Sequence, residues 1–137
     1  MENLIDICNI LKKSKTIAVV GISDNPDRTS FQIAEFLLKK GYNVFGVNPK
    51  INSSGNIKVY PSLTLIPEKI DIVNVFRRSE LIPELIPDIL TIKPKTLWLQ
   101  QGIRNDLALA PVLDANINTI QDKCIAVFYS LCGSINR

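Results

Sequence analysis

Residues 16–21 read Thr-Ile-Ala-Val-Val-Gly, a short apolar run that is rich in β-branched side chains and ends on a glycine. The run is too short for a helix. A segment that is apolar at nearly every position is typical of a strand buried on both faces, as in a parallel sheet. Four similar runs follow at residues 43–47, 70–76, 96–100 and 118–121. We therefore predict a sheet of parallel strands.

Stretches with helical periodicity separate most of these runs. They cover residues 30–40, 79–92 and 105–115, and an amphipathic leading helix is predicted within residues 1–13. Strands and helices that alternate with short connections predict an α/β fold. We expect a doubly wound, mostly parallel sheet of five to six strands in a three-layer, Rossmann-like arrangement.

Some segments fit this pattern less well. Pro87 and Pro111 lie inside helical stretches, and because proline removes a backbone hydrogen bond, we expect those helices to start late or to kink. Residues 51–67 are rich in Asn, Ser, Gly and Pro. They predict a long loop with at most a short strand near Val59. Residues 125–137 are predicted to form a tail.

Composition restricts the possible functions. The 137 residues are 46% hydrophobic and 21% charged, which predicts one globular domain over residues 1–137. The chain contains no histidine, so Ser-His-Asp and Cys-His nucleophile systems, His-ligated zinc and phosphohistidine intermediates are excluded. The formal net charge of +3 suits a phosphate-bearing small molecule, and it is too low to favour a nucleic-acid partner.

Cysteine usage and the N-terminus bear on the compartment. Cys8, Cys124 and Cys132 are an odd number without C-x-x-C spacing, so we predict neither a disulfide framework nor a zinc site, and a reducing compartment. The first residues lack the pattern of a signal peptide, and no apolar run reaches the ~18 residues that span a bilayer. We expect a cytoplasmic protein that does not enter membranes.

The loop after the first strand is the first candidate ligand site, because ligands of doubly wound sheets bind at the carboxyl ends of the strands. Residues 21–30 are polar and lead into a helix N-terminus, where backbone N–H groups can hold a phosphate. Arg28 adds a guanidinium that can bind phosphate with two hydrogen bonds. The alternative is an ordinary connecting turn in which Ser30 is the N-cap.

Two features weigh against a nicotinamide dinucleotide. The loop lacks the second and third glycines of the G-x-G-x-x-G fingerprint. The second strand ends in Val47-Asn48-Pro49-Lys50, although an NAD site needs an acid there for the ribose. An amide and a cation instead favour a ligand that carries a ribose phosphate. Lys50 taken alone is better explained as a solvated loop lysine.

The ends of the third and fourth strands add cations and amides. Phe76-Arg77-Arg78 presents two guanidinium groups, at least one of which we expect to face an anion. Gln100-Gln101-Gly102 supplies amides and a turn, while Trp98 belongs to the core.

Catalytic groups are scarce in the sequence. Asp24, Asp27 and Asp122 are best explained as solvated or structural residues. Cys124 has no histidine to activate it, so an inert, partly buried thiol is the safer interpretation. We predict no catalytic residues, no metal ligands and no enzyme activity.

Taken in order, these motifs resemble the small single-domain CoA-binding proteins, which are Rossmann-like and similar to the CoA-binding domain of succinyl-CoA synthetase and the acyl-CoA synthetases. The resemblance covers about residues 14–126. It rests on Val19-Val20-Gly21-Ile22-Ser23, Asn25-Pro26, Arg28, Ser30, Gly41-Tyr42, Val47-Asn48-Pro49, Val59-Tyr60-Pro61-Ser62-Leu63, Asp71-Ile72-Val73, Val75-Phe76-Arg77-Arg78, Trp98-Leu99-Gln100, Gly102, Asp122 and Cys124.

The resemblance implies a site for coenzyme A or an acyl-CoA. The residues that it nominates are Gly21, Ile22, Ser23, Asn25, Arg28 and Ser30 for the phosphates, Asn48, Pro49 and Lys50 beside the nucleotide, Phe76, Arg77 and Arg78 for charge, and Gln100 and Gly102 near the pantetheine. Ile22 stands where the family usually has alanine, so we expect a bulkier side chain near the adenosine.

Non-catalytic binding, as a carrier or sensor, is the favoured function. The alternatives are a CoA-linked enzyme subunit, either a ligase or a reductase component, and a nicotinamide-dinucleotide domain. A ligase role is disfavoured because succinyl-CoA synthetase relays phosphate through a histidine. A third possibility is a regulatory domain whose coenzyme A occupancy another protein senses through exposed apolar residues such as Phe128, Tyr129 and Leu131. A homo-oligomer is also left open.

Overall fold

A computed structural model describes residues 3–135, which form a central sheet with helices on both faces. The strands are β1 (Thr16–Val20), β2 (Asn43–Val47), β3 (Ser53–Ser54), β4 (Ile57–Tyr60), β5 (Ile72–Val75), β6 (Thr96–Leu99) and β7 (Asn118–Ile120). The helices are α1 (Leu4–Lys13), α2 (Thr29–Lys39), α3 (Ile82–Ile92), α4 (Asp106–Asp114) and α5 (Ile125–Ile135).

The sheet order is β3-β4-β2-β1-β5-β6-β7. Every pairing is parallel except that of β3 with β4. From β1 the chain moves outward to β2 and then returns to place β5 on the other side of β1. The strand order therefore reverses between β1 and β5, which is where ligands of such sheets bind. The predicted doubly wound, Rossmann-like α/β fold is confirmed.

The sheet has seven strands because residues 51–67 contain more structure than their composition predicted. Ser53–Ser54 and Ile57–Tyr60 form a hairpin whose turn includes Gly55 at a φ of +58°. β4 also pairs with β2 in parallel. Ile57 and Val59 are buried, so two inward-facing apolar side chains are enough to hold this segment on the sheet.

The core divides into two apolar clusters, one on each face of the sheet. Ile17 and Val19 of β1 face the cluster covered by α1, α2 and α5. Ala18 and Val20 face the cluster covered by α3 and α4. Alternate residues of a strand point to opposite faces, so β1, buried at all five positions, must be apolar throughout.

The two internal prolines do not end their helices. α3 begins at Ile82, later than the periodicity predicted, and a 3₁₀ turn over Ser79–Leu81 precedes it. Pro87 lies within α3, and its carbonyl oxygen accepts a hydrogen bond from the Thr91 hydroxyl (2.9 Å). Pro111 lies within α4.

The predicted tail is helical over its described residues, which form α5. Ile125 is buried, and Phe128 and Tyr129 are half-buried and packed against the core. Leu131 is exposed. No helix within residues 3–135 is long and apolar enough to cross a membrane.

A disulfide joins Cys8 of α1 to Cys132 of α5, so the prediction that no disulfide forms was wrong. The two cysteines are 124 residues apart, and only the packing of α1 against α5 brings them together. Cys124 is the free cysteine. Sequence spacing could not identify the pair because the contact is created by the fold.

Candidate functional site

Gly21 sets the turn that leaves β1 at the point where strand order reverses. Its φ is +84°, a left-handed conformation that favours glycine. The Gly21 N–H donates to the Val47 carbonyl (2.9 Å), so the turn is tied to the end of β2. A Cβ atom at residue 21 would lie 2.5 Å from the Phe76 carbonyl oxygen. The turn therefore packs against the end of β5 with no room for a side chain.

Ser23 organises the loop that follows. Its N–H donates to the Ser30 hydroxyl (3.0 Å), and its own hydroxyl accepts from the Asn25 N–H (3.0 Å). The Asn25 side-chain oxygen accepts from the Asp27 N–H (3.0 Å). Outside the loop, the Ser54 hydroxyl donates to the Ser23 carbonyl (2.7 Å), which links the loop to the β3–β4 hairpin. The loop is thus held in one conformation.

The N-terminus of α2 lacks a side-chain cap. The helix begins at Thr29, so Arg28 and not Ser30 is the N-cap residue, and Arg28 makes no side-chain capping hydrogen bond. The first α-helical bond is from the Gln32 N–H to the Arg28 carbonyl (3.1 Å). The preceding N–H groups of the first turn have no acceptor within the helix. The positive end of the helix dipole is available to an anion.

A groove of about 500 Å³ lies at the carboxyl ends of β5 and β6. It brings together the predicted segments that follow those strands and the first residue of α2. The residues that line it are Thr29, Phe76, Arg77, Arg78, Gln100, Gln101, Gly102, Ile103 and Cys124. Arg28 precedes Thr29 directly and is exposed, but it is not one of the lining residues.

The groove is cationic. No carboxylate is among the described residues that line it. Arg77 is half-buried and Arg78 is exposed. The salt bridges between described residues involve other cations, which are Lys39, Lys95 and Arg104. Two guanidinium groups without acidic partners attract an anion strongly when they border the same depression.

Asn48 is a structural tie at the end of β2. Its side-chain N–H donates to the Ile22 carbonyl (2.8 Å), and its side-chain oxygen accepts from the Lys50 N–H (2.9 Å). Pro49 and Lys50 are exposed and line a second depression of about 490 Å³, which Asp24 of the first loop also borders. Of the predicted residues, those that follow β5 and β6 line the groove, and Pro49 and Lys50 line the second depression. The others line neither, and they are Gly21, Ile22, Ser23, Asn25, Arg28, Ser30 and Asn48.

Ile22 does not present its side chain to a ligand. It is fully buried, and a Cβ atom built at Gly46 would lie 2.7 Å from its Cγ2 atom. The expectation that this side chain points toward a nucleotide was wrong. Ile22 can contribute only backbone atoms, and its carbonyl is already bonded to Asn48. The Ile22 side chain fits because Gly46 of β2, which has no side chain, lies beside it.

Gln100 connects the groove to a buried polar network. Its side-chain oxygen accepts from the Ile125 N–H (3.3 Å) at the start of α5 and from the Asn74 side chain (3.3 Å). Asn74 is fully buried, and its side-chain oxygen has no hydrogen-bond partner among the described residues. Sequence reasoning missed Asn74. The available signal was an amide in the middle of the otherwise apolar strand β5.

Gly102 and Asp122 close the far side of the groove. The Gly102 N–H donates to the Asp122 carboxylate (2.6 Å), and the Asp122 N–H donates to the Ile103 carbonyl (3.1 Å). Asp122 is therefore committed to the turn, in agreement with the structural role expected for it. Trp98 is fully buried and donates its indole N–H to the Lys123 carbonyl (2.8 Å), as expected for a core residue.

Asp106, the first residue of α4, has a lowered pKa. A hydrogen bond from Gln121 lowers the pKa of the Asp106 carboxyl, and Arg104 lowers it further. These contacts hold the segment that follows Ile103. Among the described residues, no group of three or more acidic or cysteine side chains is placed to hold a metal ion.

Comparisons with known proteins show which family this chain resembles. A family model described as a CoA binding domain matches residues 15–130. The chain is 40% identical to the YneT protein of Bacillus subtilis over 126 residues, which is 92% of this chain and 93% of that protein. It is 28% identical over 76 residues to acetate–CoA ligase (ADP-forming) II of Archaeoglobus fulgidus, which is 54% of this chain and 11% of the ligase.

Solved structures give the same result for the fold. A Thermus thermophilus protein described as cell-free ID.343 superposes with a TM-score of 0.91 and 30% identity. The match covers 95% of this chain and 98% of that protein. The similarity thus extends over nearly the whole length of both chains.

Proposed function

This chain belongs to the CoA binding domain family, and from that membership we propose that it binds coenzyme A or an acyl-CoA, without catalysis, at the carboxyl ends of its strands. The observation that carries the proposal is the convergence of Arg77, Arg78 and the uncapped start of α2 on one groove. Coenzyme A carries a pyrophosphate and a ribose phosphate, and these anions need fixed cations and N–H donors.

The first loop is the proposed pyrophosphate site. Gly21 allows the backbone to approach β5, and the hydrogen bonds of Ser23, Asn25 and Ser30 fix the loop before any ligand arrives. A site fixed in advance avoids the entropic cost of ordering a loop on binding. Arg28, at the end of this loop, supplies an exposed guanidinium. Asp24 and Asp27 are also exposed there and partly offset its charge.

The nucleotide end is assigned to the depression beside Asn48, Pro49 and Lys50. Lys50 is the cation on this side, and it suits a ribose phosphate in the place where an NAD site has a carboxylate. Gln100 and Gly102 lie along the other side of the groove, where the neutral pantetheine arm fits polar but uncharged surroundings. The thiol end would then lie nearest Cys124.

Binding without chemistry is proposed because the groove offers cations and amides rather than an acid–base pair. Asp122 is bonded to Gly102, and Cys124 is the only thiol among the described residues that line the groove. The second candidate is a CoA-linked enzyme subunit. It is favoured by the similarity to acetate–CoA ligase (ADP-forming) II, of which the chain matches 11%.

Titration calorimetry with coenzyme A, dephospho-CoA and NADH tests the proposal. We expect one site per chain for coenzyme A, weaker binding of dephospho-CoA, and weaker binding still of NADH. A melting temperature that rises with coenzyme A provides the second readout, since a ligand at 100 times its Kd adds about 2.7 kcal/mol to stability. Tighter binding of NADH than of coenzyme A would reverse the assignment.

A second experiment separates the free binder from the enzyme subunit. Sedimentation velocity with and without coenzyme A reports whether the chain is a monomer or a homo-oligomer. Purification of the tagged chain under native conditions reports whether it co-purifies in a fixed ratio with a ligase-like subunit. A stoichiometric partner that forms acyl-CoA would favour the second candidate.

We also propose a cytoplasmic location, because coenzyme A is a metabolite of the cell interior. The Cys8–Cys132 disulfide weighs against it, since cytoplasmic thiols are normally kept reduced. Alkylation of cells followed by mass spectrometry of the protein measures the redox state of the pair. Free Cys8 and Cys132 in the alkylated protein would agree with the cytoplasm.

A further inference from the structure

A further cavity, of about 730 Å³ and distinct from the two depressions described above, lies at the opposite end of the sheet from the groove. It is bounded by the segments that precede β1 and β2, by the C-terminal ends of α1 and α2, and by α5. Its lining includes Lys12, Lys15, Lys40, Leu11, Tyr42 and Tyr129. The disulfide cysteines, Cys8 and Cys132, also line it. Its volume is in the range of small-molecule sites.

The rim of this cavity is positively charged. Lys12, Lys15 and Lys40 are exposed, and none of them takes part in a salt bridge between described residues. Within residues 3–135, no carboxylate lines the cavity. Two acids bond to residues that line the cavity: Asp71 accepts from the Lys15 N–H (2.8 Å), and Glu68 accepts from the Asn43 side chain (2.8 Å).

Helix ends account for Lys12 and Lys40 but not for Lys15. Cations are favourable at helix C-termini, and Lys12 and Lys40 stand at the ends of α1 and α2. Lys15 lies outside both helices, directly before β1.

The wall of the cavity is apolar and aromatic. Leu11 and Tyr42 are buried, and the Tyr42 hydroxyl donates to the Leu11 carbonyl (2.6 Å), so the ring is fixed. Burial, reinforced by the neighbouring Tyr129, raises the pKa of Tyr42 to about 12, which keeps the phenol neutral. The Lys40 ammonium lies 5.9 Å from the centre of the Tyr129 ring and 5.3 Å from that of Phe36. These aromatic faces hold the cation at the rim.

We propose that this cavity is a second ligand site, for a soluble organic anion that has an apolar or aromatic body. The anionic group lies among Lys12, Lys15 and Lys40, and the body packs against Leu11, Tyr129 and the disulfide. The site is separate from the coenzyme A groove, because it is built from the amino ends of the strands. Its ligand and coenzyme A can therefore be bound at the same time.

Fluorescence titration with 8-anilinonaphthalene-1-sulfonate, an aromatic sulfonate, tests this site. We expect saturable binding of one dye per folded, oxidised chain. The double variant Lys12→Gln/Lys40→Gln should raise the dye Kd at least tenfold. Lys39→Gln is the matched control, because Lys39 adjoins Lys40 but is paired with Glu35 (3.4 Å) and does not line the cavity. It should change the dye Kd less than twofold.

Coenzyme A provides the test of separateness. A saturating concentration should leave the dye bound, and the double variant should keep the same melting-temperature shift with coenzyme A as the unmodified chain. Displacement of the dye by coenzyme A, or equal dye affinity in the double variant, would overturn the second site. The absence of any coenzyme A shift would count against the proposed function alone.

Discussion

The Phe76 carbonyl oxygen lies only 2.5 Å from the position that a Cβ atom of residue 21 would occupy. Gly21 follows the central strand of the sheet, β1, and Phe76 follows its neighbour β5. Their contact brings the first loop against the arginine-bearing end of β5. The proposed phosphate site depends on this approach.

Gly21→Ala should therefore destabilise the protein and abolish coenzyme A binding. The left-handed φ alone costs an alanine about 1–2 kcal/mol, and the collision with backbone adds to this cost. Urea unfolding measures the change. Gly41→Ala is the control, because Gly41 has a φ of +100° and nothing within 4 Å of its Cβ position. Equal destabilisation by both variants would show that the collision with the Phe76 carbonyl adds no cost to Gly21→Ala.

Arg77→Gln should weaken coenzyme A binding by at least tenfold, because it removes one guanidinium from a groove without carboxylates among its described lining. Calorimetry measures the affinity. The control is Arg104→Gln, since Arg104 is paired with Asp106 (3.2 Å) and does not line the groove. If dephospho-CoA shows the same loss as coenzyme A, Arg77 contacts the pyrophosphate. A loss confined to coenzyme A would assign Arg77 to the ribose phosphate.

Asn74→Leu should separate stability from binding. Asn74 has a buried oxygen without a partner in the described part of the chain, so replacing its amide with an apolar side chain of similar size should change stability by less than about 1.5 kcal/mol. Coenzyme A binding should weaken, because Gln100 loses the hydrogen bond that orients it. Urea unfolding and calorimetry give the two readouts. Unchanged affinity would mean that the Ile125 N–H alone positions Gln100.

Reduction of the Cys8–Cys132 disulfide should lower the free energy of unfolding by about 2–5 kcal/mol, since the bond closes a loop of 124 residues in the unfolded chain. Urea unfolding with and without dithiothreitol measures this difference. The double variant Cys8→Ser/Cys132→Ser should no longer respond to the reductant, whereas Cys124→Ser should respond as the unmodified chain does.

Stability should fall as the pH rises from about 10 to about 12. The pKa of Tyr42 is about 12 in the folded chain and 10.0 for an ordinary solvated tyrosine, so over this range the unfolded chain releases a proton that the folded chain keeps. The unfolded state is thereby stabilised by about 2 kcal/mol relative to the folded state. Urea unfolding at several pH values measures how the free energy of unfolding changes with pH. The Cys124→Ser variant serves as the background, because it prevents thiol exchange. Tyr42→Phe should flatten this pH dependence, and Tyr60→Phe should not.

The sequence was most informative where one residue's environment is dictated by its neighbours along the chain. The apolar runs behind β1 and β5 and the glycine at residue 21 were enough to predict the parallel sheet and the edge that carries the groove. A strand buried on both faces has few alternatives.

Features created by long-range packing could not be predicted. The Cys8–Cys132 contact exists only once α1 meets α5, and Ile22 is buried only because Gly46 leaves space beside it. The β3–β4 hairpin was not predicted, because only two buried apolar side chains hold so short a segment on the sheet. Two such positions do not make a recognisable pattern. Asn74 was overlooked for the opposite reason, since a single amide does not interrupt an apolar pattern.

The outermost strands of the sheet are β3, with two residues, and β7, with three. Such short edge strands expose few unpaired backbone groups, so they are poor templates for adding a strand from another molecule. Sheet extension and amyloid-like growth are both disfavoured in the native state. Any assembly of this protein is therefore expected to join through its helices or loops.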